Sequence, residues 1–503
     1  MTDQAPLLDA EPKSRFSRKT LNFLAFGLVS VIALLSLTGT ESTENTQQES
    51  SAAQTAPPEN AIRAIEQISP NIDLNWQSPE VHHWVNEAGA RVYFVASPQL
   101  PMLDIRLIFN AGSARDATKP GIARLTNALL AAGTKQLNAT EVAAGFEKVG
   151  AQFGLGAYRD MALIRLRSLS ELNQLMPALD LLANIVSSPA FPADAITRDK
   201  NQMLAGIQHA QLQPGSIASK AFYQALFPDH PYGIAGAGTE DSIPLIKAVD
   251  LNKFHQQYYA SQNLTIALVG AISVNQAKQI ANRMTRDLPT GAAAAPLAKS
   301  PIGAPQRQHI EFESNQTHIL MGTTAIRRDN PDRFALILGN EILGGGALTS
   351  LLGQEIRQKR GLSYSVSSHF IAMQSQGPFQ ISLQTRNDQT QQALDAILQV
   401  LSQFVEQGPT QQQLDDAKRQ MAGHSLFSNA SNAGIASQLG SVGFYRLPIE
   451  SVFKNQLQVQ QVTREQVKAA FQHYLDPKKL TIITVGSRKN SATDAPNSSQ
   501  PDQ

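Results

Sequence analysis

Side chains that could hold a metal or act as nucleophiles are sparse in this sequence of 503 residues. It has no cysteine, so thiolate metal sites, disulfides and cysteine nucleophiles are excluded. Of the ten histidines, only His82 and His83 are neighbours, and adjacent residues on a strand point to opposite faces, which disfavours a shared metal. The other histidines form no pair at helical ligand spacing, and no Gly-x-Ser-x-Gly motif indicates a serine hydrolase. The chain therefore favours neither a metal centre nor a serine or cysteine hydrolase.

The stretch over residues 340–366 has the most informative spacing in the chain. Three glycines at 344–346 separate two predicted helices, and only glycine tolerates such a run of unrestricted backbone angles at low cost. The second helix carries Arg357 and stops at Gly361, after two basic residues that suit a helix C-terminus. Beyond it, apolar residues alternate with serines, which predicts a half-buried strand that includes Tyr364. The alternative is a glycine-rich turn and a basic helix end without function.

This stretch resembles the C-terminal half of the pitrilysin/insulinase family of zinc metallopeptidases, the inverzincins. The resemblance is to the short two-domain class that includes the mitochondrial processing peptidase. In that family a glycine-rich loop precedes the helix, and an Arg and a Tyr seven residues apart hold the substrate. Arg357 and Tyr364 match that pair in type and spacing, whereas Ser-Leu-Leu at 350–352 departs from the Ser-Arg-Leu that often follows the glycines. The resemblance implies that Arg357 and Tyr364 bind substrate and that three glycines line its path: Gly344, Gly345 and Gly346.

The N-terminal half resembles the same family but lacks its metal motif. Residues 109–116 and 121–134 match the segment in which active members carry His-x-x-Glu-His on a helix. Two imidazoles at that spacing share a helix face and can bind Zn²⁺, while the Glu activates water. The matching positions, with that of the family's later Glu ligand, are Arg124, Asn127, Ala128 and Ala205. Arginine has no lone pair to offer, asparagine is not a general base and alanine has no ligand, so we expect no zinc in this chain.

The N-terminus predicts a membrane-anchored protein. Residues 1–20 are basic and predict a cytoplasmic end, and residues 21–39 form an uncharged apolar run just long enough to span a bilayer. Because no small-x-small cleavage site follows directly, we favour an uncleaved signal anchor over a cleaved signal peptide. This orientation predicts a single-pass protein of a bacterial inner membrane with most of the chain in the periplasm.

Beyond the anchor, the order of predicted elements repeats. Residues 40–74 are polar and predict a flexible tether. Residues 75–287 and 306–488 each show strands, a helix pair, strands, long helices and a late strand, which predicts two tandem homologous α/β sandwich domains of the α+β class. Residues 288–305, dense in Pro, Ala and Gly, predict a linker, and residues 489–503 a disordered tail.

The resemblance also implies a division of labour between chains. The family builds a two-part chamber, and in its heterodimeric members one subunit carries zinc while the other lacks it and contributes its Arg and Tyr. The leading hypothesis is a non-catalytic subunit of a heterodimeric zinc metallopeptidase, inactive alone. Its partners would be a zinc-bearing subunit of the same family and a peptide or unfolded-protein substrate. A net charge of +1 favours no nucleic acid. Two alternatives stay open: a structural assembly subunit like the core proteins of the respiratory chain, and a stand-alone periplasmic peptide-binding pseudopeptidase.

Overall fold

Two sheets and the helices around them account for residues 79–488, which are the residues described by the computed structural model; the side chains of residues 424–428 and 454 are not described. The N-terminal elements are β1 (His82–Val85), β2 (Arg91–Ala96), β3 (Met102–Phe109), α1 (Ile122–Leu129), α2 (Ala139–Lys148), β4 (Gln152–Ala157), β5 (Ala162–Leu169), α3 (Leu172–Ser187), α4 (Ala193–Gln211), α5 (Pro214–Leu226), α6 (Ser242–Leu245), α7 (Ala248–Tyr258), β6 (Leu264–Gly270) and α8 (Val274–Thr285).

The C-terminal elements follow in a similar order. They are β7 (Arg307–Glu311), β8 (Gln316–Thr324), α9 (Arg333–Asn340), β9 (Val366–Phe370), β10 (Pro378–Arg386), α10 (Thr390–Gln407), α11 (Gln411–Asn429), α12 (Asn432–Tyr445), α13 (Ser451–Gln461), α14 (Arg464–Tyr474) and β11 (Thr481–Gly486). The sequence predicted most of the strands and long helices, but not α5, α7, α12, α13 and α14.

The first sheet has six strands in the order β1-β2-β6-β3-β5-β4. β2 and β6 are parallel, and the other neighbours are antiparallel. β6 is buried along its whole length because it lies in the middle of the sheet with helices on both faces. One face packs against α1, α3, α4, α7 and α8 to form the larger core.

The second sheet repeats this plan with five strands in the order β7-β11-β8-β10-β9. Its late strand β11 is parallel to β7 and antiparallel to β8, as β6 is parallel to β2 and antiparallel to β3. Its own helices α9, α10, α11 and α14 cover one face. The prediction of two sheets in a duplicated α/β architecture is thereby confirmed, whereas the domain boundaries at 287 and 306 stay a prediction.

Each sheet receives the cover of its second face from the other half of the chain. Helix α12, from the C-terminal half, packs Ile435, Leu439 and Val442 on the first sheet. It approaches closely, since a Cβ atom at Gly443 would lie 2.4 Å from the Tyr93 ring. Small residues of this kind let a helix backbone lie directly on its neighbour.

The converse contact is made by α5, from the N-terminal half, which lies on the second sheet. Its Phe222 and Leu226 pack in one cluster with Leu320, Ile483 and Val485. Burial of large side chains such as these stabilises the joint between the halves by roughly 1.5–3 kcal/mol for each one fully buried. Both halves are therefore parts of a single packed unit.

A buried polar network joins the same two halves. The Asp160 carboxylate accepts hydrogen bonds from the Tyr232 hydroxyl (2.6 Å), the Gln374 backbone N–H (2.8 Å) and the Tyr445 hydroxyl (3.3 Å). The Ser375 N–H donates in turn to the Tyr232 hydroxyl oxygen at 3.0 Å. Burial raises the pKa of Asp160, and these hydrogen bonds oppose that rise. The carboxylate therefore ties the β4–β5 turn to the C-terminal half.

The predicted linker at residues 288–305 lacks regular secondary structure but is hydrogen-bonded to both halves of the chain. The Ala294 N–H donates to the Asn263 side chain at 2.9 Å, and the Ser300 N–H donates to the Ser375 hydroxyl at 2.8 Å.

Within residues 79–488, no helix has both the length and the hydropathy needed to cross a membrane. The predicted anchor at 21–39, the tether at 40–74 and the tail at 489–503 lie outside the described residues.

Candidate functional site

Helix α1 carries three of the four degenerate zinc positions. The helix begins after Gly121, whose φ of +95° favours glycine, and Asp116 caps it by accepting the N–H groups of Gly121 (2.7 Å) and Ala123 (2.9 Å). Arg124 and Ala128 are exposed on one side of the helix. They are one helical turn apart, as the spacing predicted.

Asn127, by contrast, belongs to the core. Its side chain is 2% exposed and its amide donates to the Tyr259 hydroxyl at 3.3 Å. The Tyr259 ring stacks on His255 and lies against Phe109, with centroids 5.1 and 4.8 Å apart. Asn127 therefore satisfies a buried hydroxyl, which is the packing role expected of a buried amide.

A cleft of about 960 Å³ opens beside α1 and α4, at the place where the family's metal site would lie. α4 carries the fourth degenerate position, Ala205, which is exposed and lies next to the lining residue Gly206. The start of α5 and the loop at 233–241 complete the wall. The charged residues that line the cleft are Arg124, Arg159, Asp199, Lys220, Glu240 and Asp241.

The donor set of this cleft does not fit zinc. Arg124 offers a permanent positive charge and no lone pair, and Ala128 offers no ligand atom. In the described part of the chain, no three His, Cys, Asp or Glu side chains come together as a metal site. No catalytic step through a zinc ion bound to this chain follows from these residues.

Arg159 is a cleft residue that the sequence did not single out. Its guanidinium lies over the Tyr223 ring, 3.6 Å from the centroid, and its Nε donates to the Tyr232 carbonyl oxygen at 3.2 Å. Burial lowers the pKa of Arg159. No local pattern could have indicated this position, because it depends on how α5 packs.

Arg357 and Tyr364 lie together on the surface, as their predicted shared role requires. The Arg357 guanidinium carbon is 4.6 Å from the Tyr364 ring centroid, a cation–π contact, and the Tyr364 side chain is 84% exposed. The nearby Glu355 does not pair with Arg357, since it binds Lys359 (3.0 Å) and Arg360 (2.8 Å). Among the described residues, neither Arg357 nor the Tyr364 hydroxyl has a hydrogen-bond partner, so both are free to bind a ligand.

The local structure around this pair differs from the predicted strand. β9 begins only at Val366, and Tyr364 lies in an irregular bend before it. The Ser363 hydroxyl accepts the Ser365 N–H at 3.2 Å and donates to the Ser365 carbonyl at 2.7 Å. Such a local hydroxyl-to-backbone turn competes with strand pairing. The turn directs the Tyr364 side chain outward.

The glycines at 344–346 do not adopt the unusual backbone angles that the sequence predicted for them. None of them has a positive φ; the left-handed residue here is Ala347, at +49°. Instead a Cβ atom on Gly344 would lie 2.4 Å from the Ser368 hydroxyl oxygen, so glycine is needed for close packing against β9. Gly344 and Gly346 are buried and Gly345 is half-buried. That they line a substrate path stays a prediction.

The helix ends at this loop are π-helical. α9 continues into a π-helical turn at Glu341–Gly345, and Arg357 lies in a second one at Gly353–Lys359. π-Helical turns inside helices occur frequently at functional sites. Arg357 and Tyr364 do not line the cleft beside α1 and α4. The Arg–Tyr pair is therefore not part of this cleft.

Comparisons with known proteins bear on the family and the fold of this chain. The model of the insulinase family (peptidase family M16) matches residues 91–240, and that of the peptidase M16 inactive domain matches residues 246–421. A crystal structure of a peptidase M16 inactive domain from Pseudomonas fluorescens is 44% identical, with a TM-score of 0.80, and covers 83% of this chain and 100% of its own. The non-peptidase homologue YmxG of Helicobacter pylori is 26% identical over 81% of this chain and 94% of its own length.

A second crystal structure, of a protease from Helicobacter pylori, is 18% identical with a TM-score of 0.75 and supports the fold alone. The expectation that this chain carries no zinc of its own rests on the residues at its four degenerate positions, which lie in the part matched by the insulinase model. The chain belongs to peptidase family M16, the insulinase family, and lacks the His-x-x-Glu-His residues of its active members at the matching positions.

Proposed function

We propose that this chain is the zinc-less subunit of a heterodimeric M16 metallopeptidase, and that it presents Arg357 and Tyr364 to substrate held by a zinc-bearing partner of the same family. The observation that carries this proposal is the cation–π contact between Arg357 and the exposed Tyr364 side chain, whose polar groups have no hydrogen-bond partner among the described residues. A guanidinium and a phenol without hydrogen-bond partners are poorly explained by stability, because neither satisfies a buried group.

The chemistry of the pair suits peptide hydrolysis. Zinc in the partner would polarise the scissile carbonyl and activate water. The Arg357 guanidinium and the Tyr364 hydroxyl can donate hydrogen bonds to backbone oxygens of the peptide and to the oxyanion that develops in the transition state. A guanidinium donates such hydrogen bonds without giving up a proton, so this role requires no proton transfer.

Reconstitution tests this proposal. The full-length chain is mixed with a zinc-bearing M16 chain from the same source, and cleavage of an unfolded protein is measured for each chain alone and for the mixture. We expect no activity from this chain alone and strong activity from the mixture. Arg357→Met should lower that activity without preventing assembly, and Arg386→Met, an exposed arginine paired with Asp388, is the control.

A second candidate function is supported by the cleft. Its volume of about 960 Å³ and its mixed charged and apolar lining suit a stand-alone peptide-binding protein of the same fold. Under this alternative, the chain alone would bind an extended peptide, and Arg124→Glu would weaken that binding. Full reconstituted activity in the Arg357→Met variant, together with tight peptide binding by the isolated chain, would favour this function over the heterodimer.

We further propose that the chain is held at a bacterial inner membrane by residues 21–39 and that residues 60–503 lie in the periplasm. The apolar run and the basic residues before it support this orientation. Protease added to spheroplasts should digest the body of the protein, and full protection would refute the topology.

A further inference from the structure

A second cavity, of about 220 Å³, lies among the C-terminal helices α9, α11, α12 and α13. Its charged residues are Arg328 and Arg333, and polar side chains such as Gln438, Ser441 and Asn455 lie near them. The remaining wall is mostly apolar and is formed by Phe334, Ile337, Met421, Val442, Leu447 and Val459. The lining of the cavity thus combines two guanidiniums with a mostly apolar surface.

The two guanidiniums have no counter-charge among the described side chains. Arg333 is only 7% exposed, and its side chain donates to the Arg328 carbonyl oxygen (3.1 Å) and to the Asn455 amide oxygen (3.4 Å). The Arg328 side chain donates weakly to the Ser441 hydroxyl at 3.4 Å, and its Nε is buried without an acceptor. Each guanidinium also lies over an aromatic ring, Arg333 at 4.4 Å from the Phe334 centroid and Arg328 at 5.5 Å from that of Tyr445. A buried guanidinium without a carboxylate partner, such as that of Arg333, is costly and therefore uncommon.

The nearest acidic residues in the sequence are already engaged. The Asp329 carboxylate accepts two hydrogen bonds from Arg327, at 3.0 and 2.8 Å. The Asp332 carboxylate accepts the Tyr474 hydroxyl at 3.1 Å. Burial and the neighbouring Arg328 lower the pKa of Arg333 to about 10, so its guanidinium keeps its proton at neutral pH. Two positive charges therefore face the cavity together.

We propose that this cavity binds a small organic carboxylate, with its carboxylate group between Arg328 and Arg333 and its apolar body against the apolar lining residues. A guanidinium matches a carboxylate with two parallel N–H donors, and burial strengthens each bond. A dry cavity of ~150 Å³ already holds benzene, so a short fatty acid or an aromatic acid fits this one. The mostly apolar wall disfavours inorganic phosphate, whose remaining oxygens would lack donors.

The site is independent of the proposed peptidase role. It lies beside α12, the helix that covers the first sheet, and Arg357 and Tyr364 are not among its lining residues. Several of its polar residues, among them Gln438, Ser441 and Asn455, are partly exposed, which gives a ligand access from solvent.

Isothermal titration of the full-length chain with hexanoate tests the proposal. We expect one molecule bound per chain, at least tenfold tighter than hexanol, which has the same apolar body without the charge. Arg333→Met should weaken hexanoate binding by at least tenfold, because a hydrogen bond to a charged group is lost. Arg386→Met removes a fully exposed arginine and should leave binding unchanged.

Three results would overturn the proposal: equal affinity for hexanoate and hexanol, tighter binding of inorganic phosphate than of hexanoate, or no hexanoate binding. Should Arg333→Met fail to fold, Arg328→Met decides in its place, since that side chain is only partly buried. Unchanged hexanoate binding in Arg328→Met would then count against the site. Ligand-dependent melting offers a second measurement, because hexanoate should raise the melting temperature of the wild type but not of either variant.

Discussion

Replacing Tyr364 with phenylalanine separates the proposed substrate-binding role of its hydroxyl from any contribution of that hydroxyl to stability. The substitution removes one hydroxyl and keeps the ring that lies against Arg357, so the cation–π contact survives. The hydroxyl has no hydrogen-bond partner among the described residues, and the side chain is 84% exposed. We therefore expect the free energy of unfolding to change by less than about 0.5 kcal/mol.

Turnover by the reconstituted complex should fall much further. Losing one donor to an oxyanion lowers kcat by on the order of 10²- to 10³-fold. The lower end of this range applies here, because an exposed phenol gains full strength only when the partner and substrate exclude water from it. We expect kcat to fall about 100-fold, with assembly intact.

The assay measures kcat, KM and melting temperature on the same complex, and Tyr474→Phe is its matched control. The Tyr474 hydroxyl accepts from the Asn330 amide (2.8 Å) and donates to Asp332 (3.1 Å). Its loss should lower stability by about 1 kcal/mol and leave kcat unchanged. If Tyr364→Phe instead keeps full kcat and KM, this subunit serves only for assembly and the proposed role of the pair is wrong.

Three further predictions concern the fold. Asp160→Asn places an amide donor opposite existing donors, so the free energy of unfolding, measured with urea, should fall by about 1–3 kcal/mol. Burial raises the pKa of Asp116 to about 7, so the folded state favours the protonated carboxyl. The resulting contribution to the free energy of unfolding is full below pH 4 and is lost as the pH rises through 7. Asp116→Asn, which resembles the protonated acid, should therefore lose less stability than the wild type between pH 5 and pH 8. Gly344→Ala should lower the melting temperature because its methyl group would meet Ser368, whereas Gly206→Ala, on an open helix face, should raise it.

Local patterns in the sequence predicted what depends on local chemistry. Alternation and turn residues gave the strands of both sheets, and the repeated order of elements gave the duplication. Arg357 and Tyr364, seven residues apart, are in contact, although the strand predicted to include Tyr364 begins only at Val366. A hydroxyl turn at Ser363 explains that error, since a serine side chain can replace strand hydrogen bonds with its own.

Features set by tertiary packing could not be predicted in this way. The glycines at 344–346 signalled an unusual loop, but the reason, close contact between Gly344 and Ser368, joins residues 24 apart in sequence. Likewise, α12 carries apolar and small residues around most of its circumference, which gives a weak helical period. Its place on the first sheet follows from contacts with strands more than 160 positions earlier.

Because α5 and α12 each pack on the sheet of the other half, they also determine how the two halves can move and how the chain responds to proteolysis. The backbone leaves the first sheet to form α5 on the second sheet and returns to the first sheet at α7. After the linker and most of the second sheet, it forms α12 on the first sheet and returns to the second sheet at β11. A single proteolytic cut in the linker at residues 288–305 therefore leaves the two fragments bound to each other, because a helix of each fragment packs on the sheet of the other. Opening of one half away from the other would have to strip a helix from its sheet, so the two halves do not move as independent rigid bodies.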